Sequence, residues 1–125
     1  MIKIQESGEN YLETILMLQR QGVDVRSIDI AVELGYTKPS ISRAMSILKA
    51  NDFIVMDSKG YITLTEKGRE VAERMYERHL FLSSCLEKIG VSEETAVKDA
   101  CRIEHVISQE SFEKLKEYVA STGGL

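Results

Sequence analysis

One proline, no tryptophan, two histidines and two cysteines are spread over 125 residues, and each scarcity excludes something. A single proline with eight glycines leaves little room for disordered linkers, so helix is expected to dominate. No apolar run approaches the roughly 20 residues that cross a bilayer, so no membrane partner is expected. The N-terminal "MIKIQESGEN" lacks the apolar stretch and cleavage site of a secretory signal, and a cytoplasmic location is expected. In a helical chain without a signal, Cys85 and Cys101 are read as free thiols rather than a disulfide. Two histidines, no phosphate-cradling glycine loop and no Ser/His/Asp-like set argue against an enzyme and against a small-molecule substrate. Positive charge is also short, 16 basic against 20 acidic residues for a net charge of −4, which by itself argues against nucleic acid.

What is present is helical periodicity. The chain is long enough for one good core or two small, interdependent lobes. Tyr11, Leu12, Ile15, Leu16 and Leu18 form a stripe that predicts a first helix from Glu9 to Gln21, ended by Gly22. Ser27 is the expected N-cap of a short second helix, "IDIAVELG", closed by Gly35. The turn "GYT" leads into "KPSISRAMSILKAND", with Pro39 in its first turn and apolar residues at Ile41, Ala44, Met45 and Leu48. The period then changes: "FIVMD" and "YITLT", separated by "SKG", predict a β-hairpin. From Glu66 a long helix carries a near-heptad seam of Val71, Met75, Leu82, Leu86 and Ile89 that wants a partner. Gly90 ends it. Ser92 and Ser108 are expected to cap a fifth and a sixth helix, the last running to about Val119 before a frayed "STGGL".

A short helix, a tight turn, a second helix and a hairpin follow the order of a winged helix-turn-helix. The local charge supports it. Residues 38–51 contain Lys38, Arg43 and Lys49 with no acid, whereas residues 66–125 hold 12 acids and nine bases. Thr37, Lys38, Pro39, Ser40, Ser42 and Arg43 are therefore the candidate DNA-facing residues, Arg43 able to grip a guanine through two hydrogen bonds. Lys59 at the wing tip could reach a phosphate. A solvated basic helix with no nucleic-acid role is the plainer alternative.

The stretch "CRIEHV" sets Cys101, Glu104 and His105 at spacings of three and four, which share one face of a helix. Thiolate, carboxylate and imidazole form a mixed set suited to a divalent transition ion and poorly suited to magnesium or calcium. A second helix would have to complete it: helix one offers Asn10 and Glu13, and His79 is the other histidine. The plainer alternative is a core cysteine beside a solvated Glu–His pair.

Taken in order, winged helix, long helix and then "DACRIEHV", the chain resembles the diphtheria toxin repressor family of metal-dependent transcriptional regulators, which includes the manganese transport regulators. "ENYLETI", "KPSISR", "LTEKG" and "CRIEHV" carry the resemblance, which spans nearly the whole sequence. It implies a mainly α protein: an N-terminal winged helix-turn-helix DNA-binding domain (residues 1–70), then a helical metal-binding and dimerisation domain (71–125) in a short, two-domain form. It implies a primary metal site of Cys101, Glu104, His105 and the side chain at position 10. Asn10 there matches neither the methionine of iron-type members nor the aspartate of manganese-type members. Glu13 and His79 match manganese-type ligand positions, and Cys101 matches the iron type. Ser83 and Val97 stand where an ancillary site would need ligands, so one metal per subunit is expected, or two if Glu13 and His79 recruit another.

The resemblance further implies a homodimer whose two recognition helices read a pseudo-palindromic operator in double-stranded DNA, with the long-helix seam and the sixth helix forming the two-fold interface. The expected activity is repression of metal-uptake genes on loading with a divalent ion, iron(II) first and manganese(II) as the alternative. A winged-helix regulator that senses redox state or a small molecule through Cys101 is the rival from another class.

Overall fold

A computed structural model describes residues 6–123; the start of "MIKIQESGEN" and the end of "STGGL" lie outside them. The chain divides into two compact units, with the division between Arg74 and Met75. In the first unit, helices α1 (Glu6–Arg20), α2 (Ser27–Leu34) and α3 (Lys38–Ala50) precede strands β1 (Ile54–Met56) and β2 (Ile62–Leu64). Helix α4 (Glu66–Lys88) begins in this unit and ends in the second.

The core of the first unit follows the predicted stripes. Leu12, Ile15 and Leu16 of α1, Ile30 of α2, and Ile41, Met45 and Leu48 of α3 are buried, and α2 packs on both α1 and α3. Helix α2 departs from expectation at its start. Ser27 is its first helical residue and Arg26 is the N-cap, because Asp29 accepts a hydrogen bond from the Arg26 backbone N–H at 2.8 Å. That carboxylate reaches back from the third helical position, where the helix dipole also favours negative charge. Gly35 ends α2 at φ 71°, a left-handed backbone that glycine adopts without a Cβ penalty.

The hairpin is as predicted. Strands β1 and β2 are antiparallel, pairing Ile54 with Leu64, Val55 with Thr63 and Met56 with Ile62. Ile54 and Ile62 face the core while Val55 and Thr63 face solvent, the alternation a half-buried ribbon requires. At its tip the Asp57 carboxylate accepts from the backbone N–H groups of Lys59 (2.8 Å) and Tyr61 (2.9 Å). The Ile62 N–H donates to the Val25 carbonyl at 2.8 Å, which ties the wing to the segment ahead of α2.

In the second unit, α4 is followed by α5 (Glu93–Ile103) and α6 (Gln109–Ser121). Ser92 and Ser108 are the N-caps, accepting from the N–H groups of Thr95 at 3.4 Å and Ser111 at 3.0 Å. Helix α6 continues to Ser121, beyond the predicted Val119. Helix α5 stops at Ile103, earlier than a helix carrying all of "CRIEHV" would. Leu82, Ala96, Ala100 and Phe112 are buried, and the rings of Phe81 and Phe112 meet edge to face at 5.5 Å. The long-helix seam is also corrected: Val71, Met75 and Leu82 are buried in the chain itself, and Ile89 lies past the end of α4 and is 75% exposed. Leu80, Leu115 and Tyr118 are instead the large apolar side chains open to solvent on α4 and α6.

Candidate metal centre and nucleic-acid face

Although α5 ends at Ile103, Glu104 keeps right-handed helical angles (φ −57°, ψ −27°), so one further residue continues the spiral before the chain turns. Its N–H donates to the Ala100 carbonyl at 2.9 Å, and the Ile107 N–H donates to Ile103 at 3.0 Å. The three side chains therefore still converge: ligand atoms of Cys101, Glu104 and His105 all lie within 4.8 Å of one another. Glu104 is fully buried, and Cys101 and His105 are half-buried.

Glu104 is the residue whose surroundings ask for a cation. Its Oε1 lies 3.0 Å from His79 Nδ1, a hydrogen bond when that nitrogen carries the proton. Its Oε2 is buried with no hydrogen bond among the described residues. A carboxylate oxygen held out of water without a donor is costly, and a positive ion shared with the Cys101 sulfur and the His105 imidazole would satisfy it. The donor set thus fits a divalent transition metal held by thiolate, carboxylate and imidazole. His79 touches this cluster through Glu104. Ser83 points its hydroxyl back to the His79 carbonyl, and Val97 is an exposed aliphatic residue; neither offers a ligand. Asn10 and Glu13 lie in the first unit on α1, where Glu13 is 4% exposed and the Asn10 carbonyl accepts from the Thr14 hydroxyl at 2.8 Å.

Arg78 escaped the sequence reading. Its guanidinium binds the turn that carries Glu104 and His105, and an arginine inside a charged helix has no spacing that would single it out.

Thr37, Lys38, Pro39, Ser40, Ser42, Arg43 and Lys59 are all exposed. Helix α3 buries Ile41, Met45 and Leu48 and thereby turns Ser42 and Arg43 outward. Thr37 and Ser40 have a local duty as well: the Thr37 hydroxyl, at the N-cap, accepts from the Ser40 N–H at 3.4 Å and donates to the Ser40 hydroxyl at 2.9 Å. Lys59 sits in the wing tip fixed by Asp57. Arg26, another residue the sequence reading passed over, lies with its guanidinium 4.4 Å from the centre of the Tyr61 ring.

Comparison with known proteins gives the family. The family described as iron dependent repressor, metal binding and dimerisation domain matches residues 65–122. The HTH-type transcriptional regulator MntR of Geobacillus kaustophilus is 32% identical over 113 residues, which cover 90% of this chain and 80% of that protein. Among solved structures, the manganese regulator SloR superposes with a TM-score of 0.78 at 22% identity, over 95% of this chain and 55% of its own. IdeR of T. acidophilum superposes with a TM-score of 0.76 at 23% identity, over 94% of this chain and 55% of its own. The chain therefore spans about half the length of these two solved proteins, which share its fold. On the strength of the MntR similarity over most of both sequences, the chain belongs to the diphtheria toxin repressor and manganese transport regulator family of metal-dependent transcriptional regulators.

Proposed function

We propose that this protein is a cytoplasmic repressor that binds operator DNA as a homodimer when Cys101, Glu104 and His105 hold a divalent transition metal. The observation that carries the reading is the convergence of these three donors, one of them a fully buried carboxylate with an oxygen that has no hydrogen bond among the described residues. Asn10, Glu13 and His79 complete the proposed ligand set on the strength of the family resemblance, His79 supported by its hydrogen bond to Glu104. The bound ion supplies positive charge that lets the donors stay ionised and close together.

Thr37, Lys38, Pro39, Ser40, Ser42 and Arg43 face the major groove in this reading, and Lys59 faces a phosphate. Leu80, Leu115 and Tyr118 are exposed apolar side chains and support a partner-facing surface on α4 and α6. The metal-uptake genes of the cell are the proposed targets.

Iron(II) is the first choice, because Cys101 puts a thiolate where softer ions are favoured. Manganese(II) is the second, favoured by similarity to the manganese regulator SloR. The decisive experiment is an anaerobic titration of the apo protein with each ion. An operator selected from random duplexes is followed by fluorescence anisotropy at fixed salt, since phosphate contacts make affinity salt-dependent. A gain in operator affinity of about 5- to 150-fold with one ion is the expected coupling. Equal affinity with and without either ion would sink the reading, and loss of binding on Cys101 oxidation alone would replace it with a redox sensor.

A further inference from the structure

The proposed donors Glu104 and His105 lie just past the end of α5, where backbone carbonyls need donors from outside the helix. We infer that Arg78 is the positioning residue of the metal centre, a reading that rests on the metal function proposed above. Arg78 is 7% exposed. Its Nη1 donates to the carbonyls of Glu104 (3.0 Å) and Ile107 (2.9 Å), and its Nη2 donates to Gln109 Oε1 (2.8 Å). The face of Phe112 lies beside it, 5.4 Å from the guanidinium carbon to the ring centre.

These acceptors span the whole connection from the end of α5 to the start of α6. Carbonyls at a helix end have no intrahelical donor, and a planar guanidinium can serve several acceptors at fixed angles where an ammonium cannot. The next residue of α4, His79, bonds the Glu104 carboxylate. Two successive side chains of one helix therefore grip Glu104 at both ends, Arg78 at its backbone carbonyl and His79 at its side chain. A guanidinium is no metal ligand; Arg78 acts by setting the spacing of Glu104 and His105 relative to His79 before any ion arrives.

The test uses the full chain with manganese(II), and anaerobic iron(II), as probes. Affinity comes from titration, ligand geometry from the electron paramagnetic resonance line shape of bound manganese(II), and integrity from the melting temperature of the apo protein. Arg78→Lys is expected to keep a folded apo protein, to bind metal about 10-fold or more weakly, and to broaden the manganese spectrum, as loss of a residue orienting metal ligands does. Gln109→Ala leaves both carbonyl bonds in place and is expected to weaken binding by a smaller factor, about threefold. If Arg78→Lys does not fold, Gln109→Ala carries the test. Wild-type affinity and line shape in Arg78→Lys, or in Gln109→Ala should the first variant unfold, would overturn the positioning role while leaving the metal function standing. A wild-type chain that binds neither ion overturns both.

Discussion

Glu104 has no exposed surface, and its two oxygens are treated unequally, one bonded to His79 and one without a hydrogen bond among the described residues. An amide at this position is cheaper to bury than a carboxylate, but it supplies no charge to a cation. Glu104→Gln is therefore expected to lower metal affinity by about 10-fold or more while leaving the apo melting temperature unchanged or raised; calorimetry and a metal titration on one preparation check both. Cys101 tests the identity of the ion. Cys101→Ser replaces a soft donor with a hard one, and is expected to reduce iron(II) affinity by about 10-fold while altering manganese(II) affinity by less; paired anaerobic titrations decide. Cys85 is a different thiol. Partial burial pushes its pKa up, so near neutral pH it stays protonated and should be alkylated slowly by iodoacetamide, with the rate rising as pH approaches the raised pKa. None of this chemistry was visible as geometry in the sequence, where "CRIEHV" taken alone also fits a core cysteine beside a solvated pair.

At the scale of elements, the cap and turn residues made most of the fold legible. Thr37, Ser92 and Ser108 act at helix starts because their hydroxyls satisfy N–H groups that the helix cannot. Gly35, Gly60 and Gly90 stand at positive φ, a backbone that glycine adopts without a Cβ penalty. Arg26 at the start of α2 was missed because its cap depends on an acceptor three residues ahead. Gly68 shows what local pattern cannot reveal. It lies within the first turn of α4, where glycine is a poor helix former, but a Cβ there would sit 2.0 Å from the Phe53 carbonyl oxygen. Gly68→Ala is therefore expected to destabilise the protein by about 1–3 kcal/mol, in the range of overpacked sites and opposite in sign to helix propensity; urea unfolding of the variant checks the sign. Arg43, on the outer face of α3, should contribute to the operator and not to folding. Arg43→Ala is expected to weaken operator binding by about 1–3 kcal/mol with metal affinity unchanged, measured by anisotropy and titration.

At the scale of the whole molecule, net charge and charge placement point in opposite directions. The total of −4 argues against DNA, yet α3 lies within the acid-free stretch 38–51 and exposes Lys38, Arg43 and Lys49. The near-heptad seam on α4 shows the opposite failure. Its spacing announced an apolar face correctly, but Val71, Met75 and Leu82 are consumed by the chain's own core, leaving Leu80, Leu115 and Tyr118 exposed. If a homodimer uses these, Tyr118→Glu should shift the protein to a monomer in sedimentation velocity, and weaken operator binding because two half-sites no longer share one ligand. Retention of the dimer would move the interface elsewhere on the second unit.

The sequence by itself determined the helix order, the hairpin, the acid-free third helix and the donor types brought together in "CRIEHV", because periodicity, caps and turn residues act over a few positions. Only the tertiary structure decided which apolar side chains remain open, why residue 68 must lack a Cβ, and that Arg78 and His79 hold Glu104 from both ends. The last two depend on contacts between residues 15 to 26 positions apart, and no short-range pattern records such a meeting; it is set by how helices and strands pack once they have formed.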